Sequence, residues 1–262
     1  NPLSAEQDTL RTALAPGMLR NVRTNVDQGV NSCRIFEVAR IFFADPTSET
    51  TVSEHTRLGL LLTGNRNPSI WPHEPAEADY LDLKGIVENL LQCLGLFSCL
   101  YVQLADHPFL QPGVSIYLEN HVLGFLGRLK PELVKPTHAR SPIWIAEVDI
   151  DFLARYSQEQ KIVYQPWAKF PPVHRDMTLI AGPDVTFEQI KDCIGTKGNK
   201  PLMEEVRLVD LYQPPQQTER HLTLRLRYRH MQKTLTDKEV DAAHSALGQS
   251  LTNSLPVRFP ST

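Results

Sequence analysis

The amino-acid sequence predicts an α+β protein with two domains, and three observations carry this prediction. The chain has 262 residues, which is long enough for one large or two modest domains. Its hydrophobic content of 41% and charged content of 22% are typical of globular proteins. Strands outnumber helices in residues 1–157, whereas residues 167–262 follow the order βαββαβ. Residues 158–166 between them are predicted to be a linker.

The first domain is predicted to begin with a helix and to continue mainly as strands. Pro16 stands where a helix N1 proline belongs, and an apolar stripe of Leu19, Val22 and Val26 follows it. Asp79 is the predicted N-cap of a second helix. The predicted strands are 33–43, 57–63, 100–104, 114–118, 122–129 and 143–150, of which the first is expected to be mostly buried. Their order predicts an antiparallel sheet with a few helices on one side.

Two features of the first domain have both a structural and a functional interpretation. Gly124 and Gly127 in GFLGRL look like part of a phosphate loop, but inside a strand they favour a bulge or close sheet packing. Trp71 lies in a proline-rich loop over residues 65–78. It is expected to be either a lid or interface anchor, or a plug over the core.

The second domain has clearer boundaries. Its predicted strands are 175–181, 205–212, 220–230 and 256–259. Thr186 with Gln189 predicts a capping box for one helix, which Gly195 is expected to end, and Thr236 with Glu239 predicts a capping box for another. The order βαββαβ predicts a ferredoxin-like domain, with two helices on one face of a four-stranded sheet and the other face free.

The longest strand of this domain indicates what the free face carries. Arg225, Arg227 and Arg229 alternate with leucines and a tyrosine, and successive side chains of a strand point to opposite faces. Three neighbouring arginines repel one another unless an anion or a set of carboxylates lies near. The face is therefore expected to bind RNA, or alternatively its arginines pair with Asp or Glu on neighbouring strands.

The segment WAKFPP, residues 167–172, leads into the first strand of the second domain. Its two prolines fix φ and push the preceding residues toward extended geometry. Lys169 and Phe170 are therefore expected to project from the chain as an exposed cationic and aromatic lip. Arg175 follows shortly after, beside Asp176, with which it is a possible structural pair. The predicted RNA-binding residues are Lys169, Phe170, Arg175, Arg225, Arg227 and Arg229.

Charge and cysteine usage narrow the function further. Residues 1–165 contain 14 Lys and Arg against 19 Asp and Glu, and residues 166–262 contain 13 against 11, so the second part is the better candidate for an anionic partner. The four cysteines form no CxxC pair, which favours buried free thiols in a reducing cytosol. The nine histidines form no HxxxH or HxH pair, so no metal site is predicted.

Two further expectations concern membranes and the ends of the chain. No apolar run approaches the roughly 20 residues that a membrane-spanning helix needs. The sequence begins with Asn-Pro-Leu-Ser, without an initiating Met or the basic and apolar regions of a signal peptide. We therefore expect a cytoplasmic piece of a longer chain without a membrane partner.

Several segments together resemble a known family. KFPPVHRDMTL, VRLVDLY and LRLRYRHMQKTLTDKEV resemble the ferredoxin-fold anticodon-binding domain of bacterial phenylalanyl-tRNA synthetase beta subunits. NPLSAEQDTLRTALAPGMLRNVRTNV, RIFEVARIFF, DYLDLKGIVENLL and GFLGRLKPE are similar to the synthetase-core-like domain of the same subunit. The resemblance covers nearly the whole chain in the right order. The family usually has serine where this chain has Ala168, and commonly one near His221, so a hydrogen bond from the first hydroxyl is missing here.

The resemblance implies a non-catalytic part of an α2β2 ligase, which joins phenylalanine to its tRNA by means of ATP and Mg. The active site of that enzyme lies in the alpha subunit. The first domain would be a degenerate class II synthetase core that supports the alpha subunit, and the second would bind the anticodon region of tRNA-Phe. Arg34 and Glu37 look like residues of a class II second motif, but no glycine-rich stretch ending in Arg follows to clamp ATP. Adenylate formation would lack electrostatic stabilisation, and this chain itself is expected to hold no cofactor.

Two alternative functions come from other classes. A ferredoxin-like domain can also be a regulatory module that binds a small metabolite, with the first domain serving for dimerisation. The segment GPDV at 182–185 is a poor substitute for the glycine-rich ligand loop that such a module needs. An autonomous ATP-using ligase is the other alternative, and it would have to bind ATP.

Overall fold

The computed structural model describes residues 9–67, 71–72, 76–96, 99–159, 167–197 and 202–260. The chain divides into two compact units, Asn1–Val163 and Tyr164–Thr262. No helix within the described ranges is both long enough and apolar enough to cross a membrane.

The first unit is built on a six-stranded sheet in which all neighbouring strands are antiparallel. Its elements are α1 (Ala15–Asp27), β1 (Cys33–Ala44), β2 (Val52–Thr63), α2 (Tyr80–Cys93), β3 (Cys99–Gln103), β4 (Leu110–Leu118), β5 (His121–Leu129), α3 (Pro131–Val134), β6 (Ile143–Asp149) and α4 (Ile150–Glu159). A 3₁₀ turn, Lys135–Thr137, follows α3. The order across the sheet is β1-β2-β6-β5-β4-β3.

The antiparallel sheet is as predicted, although β2 and β4 begin several residues earlier. The predicted linker starts inside α4, and its residues 160–166 lie outside the described ranges.

Helices cover both faces of this sheet, whereas the sequence had predicted helices on one side. Leu61 and Leu62 are consecutive on β2, and both are buried. Leu61 packs in a cluster with Met18 of α1, and Leu62 packs in a different cluster with Leu83 of α2. Consecutive apolar residues on a central strand are typical of a sheet that is buried on both faces. The run LGLLLT in β2 therefore indicated a sheet that is buried on both faces, although helices were predicted on one face only.

Strand β1 lies at the edge of the sheet and is not mostly buried, contrary to the prediction. Ile35 and Ile41 pack with the cluster beneath α1. The side chains of Phe36 and Val38 point to the other face, where they are 73% and 54% exposed. No described helix covers that face at the edge, so the apolar composition of β1 reflects burial on one face only.

The N-terminus of α1 is capped by a carboxylate that comes from the sheet. Glu147 on β6 is only 3% exposed, and its Oε1 accepts hydrogen bonds from the backbone N–H groups of Leu14 and Ala15 at 2.8 and 2.9 Å. Burial raises the pKa of the Glu147 carboxyl. Gly59 lies beneath the helix, where an added Cβ would come within 2.6 Å of Met18 Sδ. The helix is thus fixed closely on the sheet.

Gly124 and Gly127 serve close packing inside β5, as predicted. A Cβ at Gly124 would collide with the backbone carbonyl of Glu147 on β6. A Cβ at Gly127 would lie 2.5 Å from the carbonyl oxygen of Pro112 on β4. Neither glycine stands at a strand-to-helix junction, so these residues do not form a phosphate loop.

The cysteines are all free thiols, and they differ in burial. Cys33 and Cys193 are buried as predicted, and Cys99 is partly buried. Burial raises the pKa of Cys33 and of Cys99. Cys93 is exposed, which corrects the prediction for this residue, because it follows the last buried position of α2, Leu91.

The second unit has the predicted βαββαβ order. Its elements are β7 (Val173–Ala181), α5 (Phe187–Lys197), β8 (Met203–Tyr212), β9 (Arg220–Tyr228), α6 (Asp237–Ser254) and β10 (Val257–Arg258). The strands form one antiparallel sheet in the order β10-β7-β9-β8. Gly195 lies within α5 rather than at its end, and β9 ends at Tyr228 rather than at His230. The order and the sheet are those of a ferredoxin-like domain.

The predicted N-caps of α2, α5 and α6 are present, whereas a predicted capping box of Ser4 with Gln7 lies outside the described residues. Asp79 accepts hydrogen bonds from the first turn of α2. Thr186 and Gln189 form a reciprocal capping box before α5, with distances of 2.9 and 3.2 Å. Thr236 and Glu239 do the same before α6, with distances of 3.0 and 3.4 Å. Local sequence therefore fixes where these three helices begin.

The two faces of the second sheet have opposite character. The apolar residues of β9 are buried in one cluster with Ile190 of α5 and Val240 of α6. Arg225 and Arg227 alternate with them and point the other way, and Arg225 is exposed. No described helix covers that second face, as the alternation of β9 predicted.

Candidate nucleic-acid interface

The uncovered face of the second sheet, called here the open face, carries its polar side chains in rows across the strands. The register aligns β7, β9 and β8, so residues at matched positions are neighbours. One row is Asp176, Arg225 and Arg207, the next is His174, Arg227 and Glu205, and a third contains Thr178, Thr223 and Asp210. Arginines and carboxylates are thus interleaved on one surface.

Arg225 makes a two-pronged ion pair with Asp176 on the neighbouring strand. Its Nε and Nη2 donate to the two carboxylate oxygens at 2.8 and 2.7 Å. The hydrogen bond from Arg225 holds the pKa of Asp176 below its ordinary value. Arg207 lies directly across from Arg225 on the other side, and like charges in that position are unfavourable. Asp176 offsets this repulsion and fixes the plane of the Arg225 guanidinium.

Arg227 and Arg229 share one carboxylate. The Nε atoms of both arginines lie 3.1 Å from Oε2 of Glu204, although neither is aligned for a hydrogen bond. Arg227 Nη1 also donates to Glu205 at 3.4 Å. Arg225, Arg227 and Arg229, which follows the end of β9, therefore all pair with carboxylates of neighbouring strands. The arginines thus form the ion pairs that were one of the two predicted alternatives. Half of the Arg225 side chain nevertheless remains exposed.

Arg175 points away from the open face. Its Nη2 and Nε donate to Asp237 and Asp241 of α6 at 2.7 and 2.9 Å. The possible pair between Arg175 and Asp176 is not formed, because consecutive residues of a strand point to opposite faces. Arg175 therefore links β7 to α6, whereas the arginines of β9 lie on the open face.

One depression still brings Arg175 and Arg225 together. It has a volume of about 410 Å³ and is lined by His174, Arg175, Asp176 and Arg225. Strand β10 pairs with β7 only at Ile180 and Ala181. The opposite end of β7 is therefore an edge within the described structure, where residues of both faces can be reached.

The lip before β7 differs from its prediction in the identity of the exposed aromatic residue. Lys169 is exposed as expected, but Phe170 is half-buried. Trp167 is 89% exposed and is the aromatic side chain that this segment offers to solvent. In the first unit Trp71 is 91% exposed, so it is not a plug over the core.

Arg207 and Trp167 are the open-face and lip residues that the sequence reasoning missed. Trp167 belongs to the segment WAKFPP, and its position next to the predicted linker was the signal that could have indicated exposure. Arg207 follows from the alternation of β8 only when the strand's two register shifts are known. These shifts lie between Met203 and Glu205 and between Leu208 and Asp210. Such bulges move side chains between faces and are not evident from the sequence.

The two residues that look like a class II motif are used within the chain. Arg34 donates to the backbone carbonyl of Arg66, and Glu37 accepts a hydrogen bond from Arg11 Nη1 at 2.7 Å. Across the described ranges, no group of three His, Cys, Asp or Glu side chains is arranged to hold a metal ion.

Two protein families match this chain in succession. The family described as phenylalanyl tRNA synthetase beta chain CLM domain matches residues 1–150. The ferredoxin-fold anticodon binding domain matches residues 168–259. The second match spans the open face and most of the lip.

Similar proteins carry one name. The phenylalanine–tRNA ligase beta subunit of Nitratidesulfovibrio vulgaris (strain Hildenborough) is 42% identical over 260 residues, covering 99% of this chain and 32% of the relative. That of Oleidesulfovibrio alaskensis is 41% identical over 234 residues, covering 88% and 29%. That of Synechococcus sp. (strain JA-3-3Ab) is 33% identical over 271 residues, covering 100% and 32%. The chain thus spans about a third of the length of the curated relatives it matches.

Solved structures give a weaker likeness. The pyrrolysyl-tRNA synthetase of Desulfitobacterium hafniense aligns with a TM-score of 0.44 and 16% identity, covering 56% of this chain and 50% of that one.

Proposed function

Because the chain belongs to the phenylalanyl-tRNA synthetase beta-chain family, we propose that it is a non-catalytic part of phenylalanine–tRNA ligase. Its second unit binds the anticodon region of tRNA-Phe, and its first unit supports the alpha subunit in a cytoplasmic α2β2 enzyme that uses ATP and Mg. The match of residues 168–259 to an anticodon-binding domain carries this proposal. The open face supplies a surface on which RNA can lie.

The pairing of the open-face arginines bears on how RNA is bound. Asp176 accepts both hydrogen bonds of Arg225, and Glu204 lies 3.1 Å from the Nε of Arg227 and of Arg229, so these arginines are less available to phosphate groups. The flat side of a guanidinium remains able to stack on an unpaired base. Carboxylates can accept hydrogen bonds from base amino groups. The open face is therefore suited to contact bases, with the exposed Trp167 as an additional stacking surface.

The first unit offers an apolar surface for the alpha subunit. Phe36 and Val38 are exposed on β1, and exposed apolar groups at one place are typical of a protein interface. Arg34 and Glu37 are engaged by contacts within this chain. These contacts support a non-catalytic role for the first unit, and the alpha subunit catalyses the reaction.

The alternative of a metabolite-binding module is not favoured. In the turn GPDV it is carbonyl groups, not N–H groups, that converge on a cation. Arg220 Nη2 donates to the carbonyl oxygens of Gly182, Pro183 and Val185 at 3.3, 3.3 and 2.7 Å. A glycine-rich loop that binds an anion requires N–H groups to face the ligand. This turn instead secures the start of α5.

RNA binding is tested by removing an exposed aromatic residue from each unit in turn. The 262-residue chain is titrated with tRNA-Phe and with a tRNA of another specificity. Trp167→Ala is expected to weaken binding of tRNA-Phe about 5- to 150-fold, since stacking on one aromatic is worth roughly 1–3 kcal/mol per base. Trp71→Ala, in the first unit, is the matched control and is expected to bind like the unmodified chain.

If the chain bound both tRNAs equally, or if the Trp167→Ala variant bound with undiminished affinity, the result would count against anticodon binding by the second unit. Arg225→Gln adds a second measurement at the open face. It is expected to reduce the preference for tRNA-Phe over the other tRNA.

Support of the alpha subunit is tested by co-purification. Phe36→Ser combined with Val38→Ser is expected to reduce recovery of the alpha subunit with this chain, because burial of these apolar side chains would contribute to the interface. Leu100→Ser combined with Val102→Ser places the same change at the other sheet edge, on β3, and is expected to have no effect. Equal recovery with both double variants would remove β1 from the interface.

A further inference from the structure

A cationic depression lies in the first unit, well separated in sequence from the open face. It has a volume of about 280 Å³ and lies where the end of β5 meets α3, the 3₁₀ turn and the start of β6. Its cations are Arg128, Lys135 and Arg140. Much of the remaining lining is aliphatic or proline, including Leu129 and Val134.

These three cations have no ion-pair partner in the part of the chain that the structure describes, unlike the arginines of β9. Three carboxylates lie nearby in the fold, and none of them forms an ion pair with these cations. Glu132 lies on α3 itself. Glu77 accepts a hydrogen bond from Ser141 at 2.6 Å. Asp27 binds His138 at 2.8 Å. The depression therefore brings together three cations that form no ion pair with a carboxylate of the described protein.

The surroundings make this local charge more significant. Residues 1–165 contain 14 Lys and Arg against 19 Asp and Glu, so unpaired cations at one place are an exception to the acidic character of the first unit. Apolar walls around charges of one sign focus the electric field and attract counter-ions. Arginine presents a fork of N–H groups that matches phosphate and carboxylate groups. An anionic group is thus the ligand that this depression fits.

The lining favours a phosphate over an acidic protein segment. Protein interfaces usually have an apolar or aromatic centre, yet none of the exposed large hydrophobic residues belongs to this lining. The exposed apolar residues of this unit include Phe36 and Val38 on β1. The lining also contains no aromatic side chain on which a base could stack. Of the anionic ligands considered, the sugar-phosphate backbone of a nucleic acid therefore fits this lining best.

We propose that the depression at Arg128, Lys135 and Arg140 is a phosphate-binding site that holds the backbone of a bound RNA. This inference rests on the proposed function for the source of the phosphate. The two units then bind different parts of the RNA. The open face contacts bases, and the depression contacts phosphates whatever the RNA sequence is.

Salt dependence of RNA binding tests the site. The variant Arg128→Gln/Arg140→Gln and the control Lys191→Gln/Lys238→Gln each remove two exposed or half-buried cations without a described ion pair. The control residues lie on the helices of the second unit. Affinity for tRNA-Phe and for a tRNA of another specificity is measured by fluorescence anisotropy at several NaCl concentrations, after circular dichroism has shown that each variant is folded.

The slope of log affinity against log salt concentration is expected to fall by about 1–2 in Arg128→Gln/Arg140→Gln, since each lost phosphate contact lowers it by about 1. The loss is expected to be the same for both tRNAs, and the control keeps the original slope. An unchanged slope in the depression variant, while Trp167→Ala still weakens binding, overturns the phosphate site and leaves the proposed function intact.

Two further probes identify the source of the anion. If the unmodified chain binds neither tRNA, the proposed function fails and so does the assignment to RNA. NMR shifts of the Arg128 and Arg140 side chains with inorganic phosphate, but not with chloride, would then leave free phosphate as the ligand. If polyglutamate competes as strongly as RNA at equal charge, and this competition is lost in the depression variant, the partner is an acidic protein and the RNA assignment is overturned.

Discussion

The six-stranded sheet and the four-stranded sheet differ in how many of their faces are covered. In the first unit, Leu61 and Leu62 are adjacent in sequence, and both are buried under different helices. In the second unit, Leu224 is buried, while its neighbour Thr223 is only half-buried and Arg225 is exposed. A sheet with two covered faces has only its edges and loops left for partners. A sheet with one covered face can offer a whole surface.

This difference explains where the candidate sites lie. In the first unit they are the edge strand β1 and the depression beside α3. In the second unit the candidate site is the open face itself. Four measurements on stability and ionisation can break or sharpen this contrast.

The largest expected effect comes from truncating strand residues on both sides of each sheet. Leu61→Ala and Leu62→Ala are each expected to lower the free energy of unfolding by about 2–5 kcal/mol, because both leave a cavity in a packed core. Leu224→Ala should cost a similar amount. Thr223→Ala should cost about 0.5–1.5 kcal/mol, the typical contribution of the one hydrogen bond it loses, which it shares with Thr178 at 3.0 Å. Denaturant unfolding measures all four variants.

A Leu62→Ala variant as stable as the unmodified chain would mean that α2 does not cover that face closely. A Thr223→Ala variant as unstable as Leu224→Ala would mean that the open face is covered after all.

The second prediction concerns how helices are held in each unit. Glu147→Ala removes a distant cap and leaves the N–H groups of Leu14 and Ala15 without their acceptor, at an expected cost of about 1–3 kcal/mol for a buried donor. Thr236→Ala removes a local cap from α6 and is expected to cost about 1 kcal/mol. Thermal and denaturant unfolding compare the two variants, and equal costs would contradict the difference in anchoring.

Glu147 also gives the first unit a pH dependence. Burial raises its pKa above the ordinary value of 4.5, so its protonated form is favoured in the folded state. Its contribution is fully present below the unfolded pKa and is lost as pH rises through the folded pKa. Glu147→Gln keeps a hydrogen-bond acceptor but cannot ionise. It is expected to show a weaker loss of stability over that pH range, and an unchanged profile would exclude Glu147 as the source.

The smallest expected effect is a change in ionisation on the open face. The hydrogen bond from Arg225 lowers the pKa of Asp176, so Arg225→Gln is expected to raise that pKa toward its ordinary value. Arg175→Gln is the control, since Arg175 bonds to α6 on the other face. Carboxyl NMR titration of Asp176 reports both variants. A shift of equal size in the control would show that the two faces are not electrostatically separate.

Local features of the structure were predictable from the sequence, and long-range ones were not. The capping boxes at Thr186 and Thr236 and the alternation of β9 involve residues close in the chain, so their patterns predict them directly. The cap from Glu147 to Ala15 joins residues 132 positions apart. Its sequence gives no sign of that pairing. The edge position of β1 likewise depends on strand order rather than on composition.

The candidate site shows the same division. The direction of Arg225, Arg227 and Arg229 was predictable, and pairing with carboxylates was one of two stated alternatives. Which carboxylates take part depends on register, and the bulge near Glu204 on β8 sets that register. The exposed aromatic residue was assigned to Phe170 because the prolines next to it were expected to expose it. Trp167 fills that position instead.

Strand β1 has a consequence for the behaviour of this chain in solution. Arg11 bonds to the outer edge of β1 at Arg40 and Phe42, at 2.8 and 2.9 Å. Unpaired backbone groups elsewhere on an edge strand are a template for hydrogen bonding to another copy, and Phe36 and Val38 add exposed apolar surface on one face beside this edge. Arg34 and Arg40 place charge on the same strand, and charges of this kind oppose edge-to-edge aggregation. Replacing both arginines with neutral residues is therefore expected to lower the solubility of the chain without a partner.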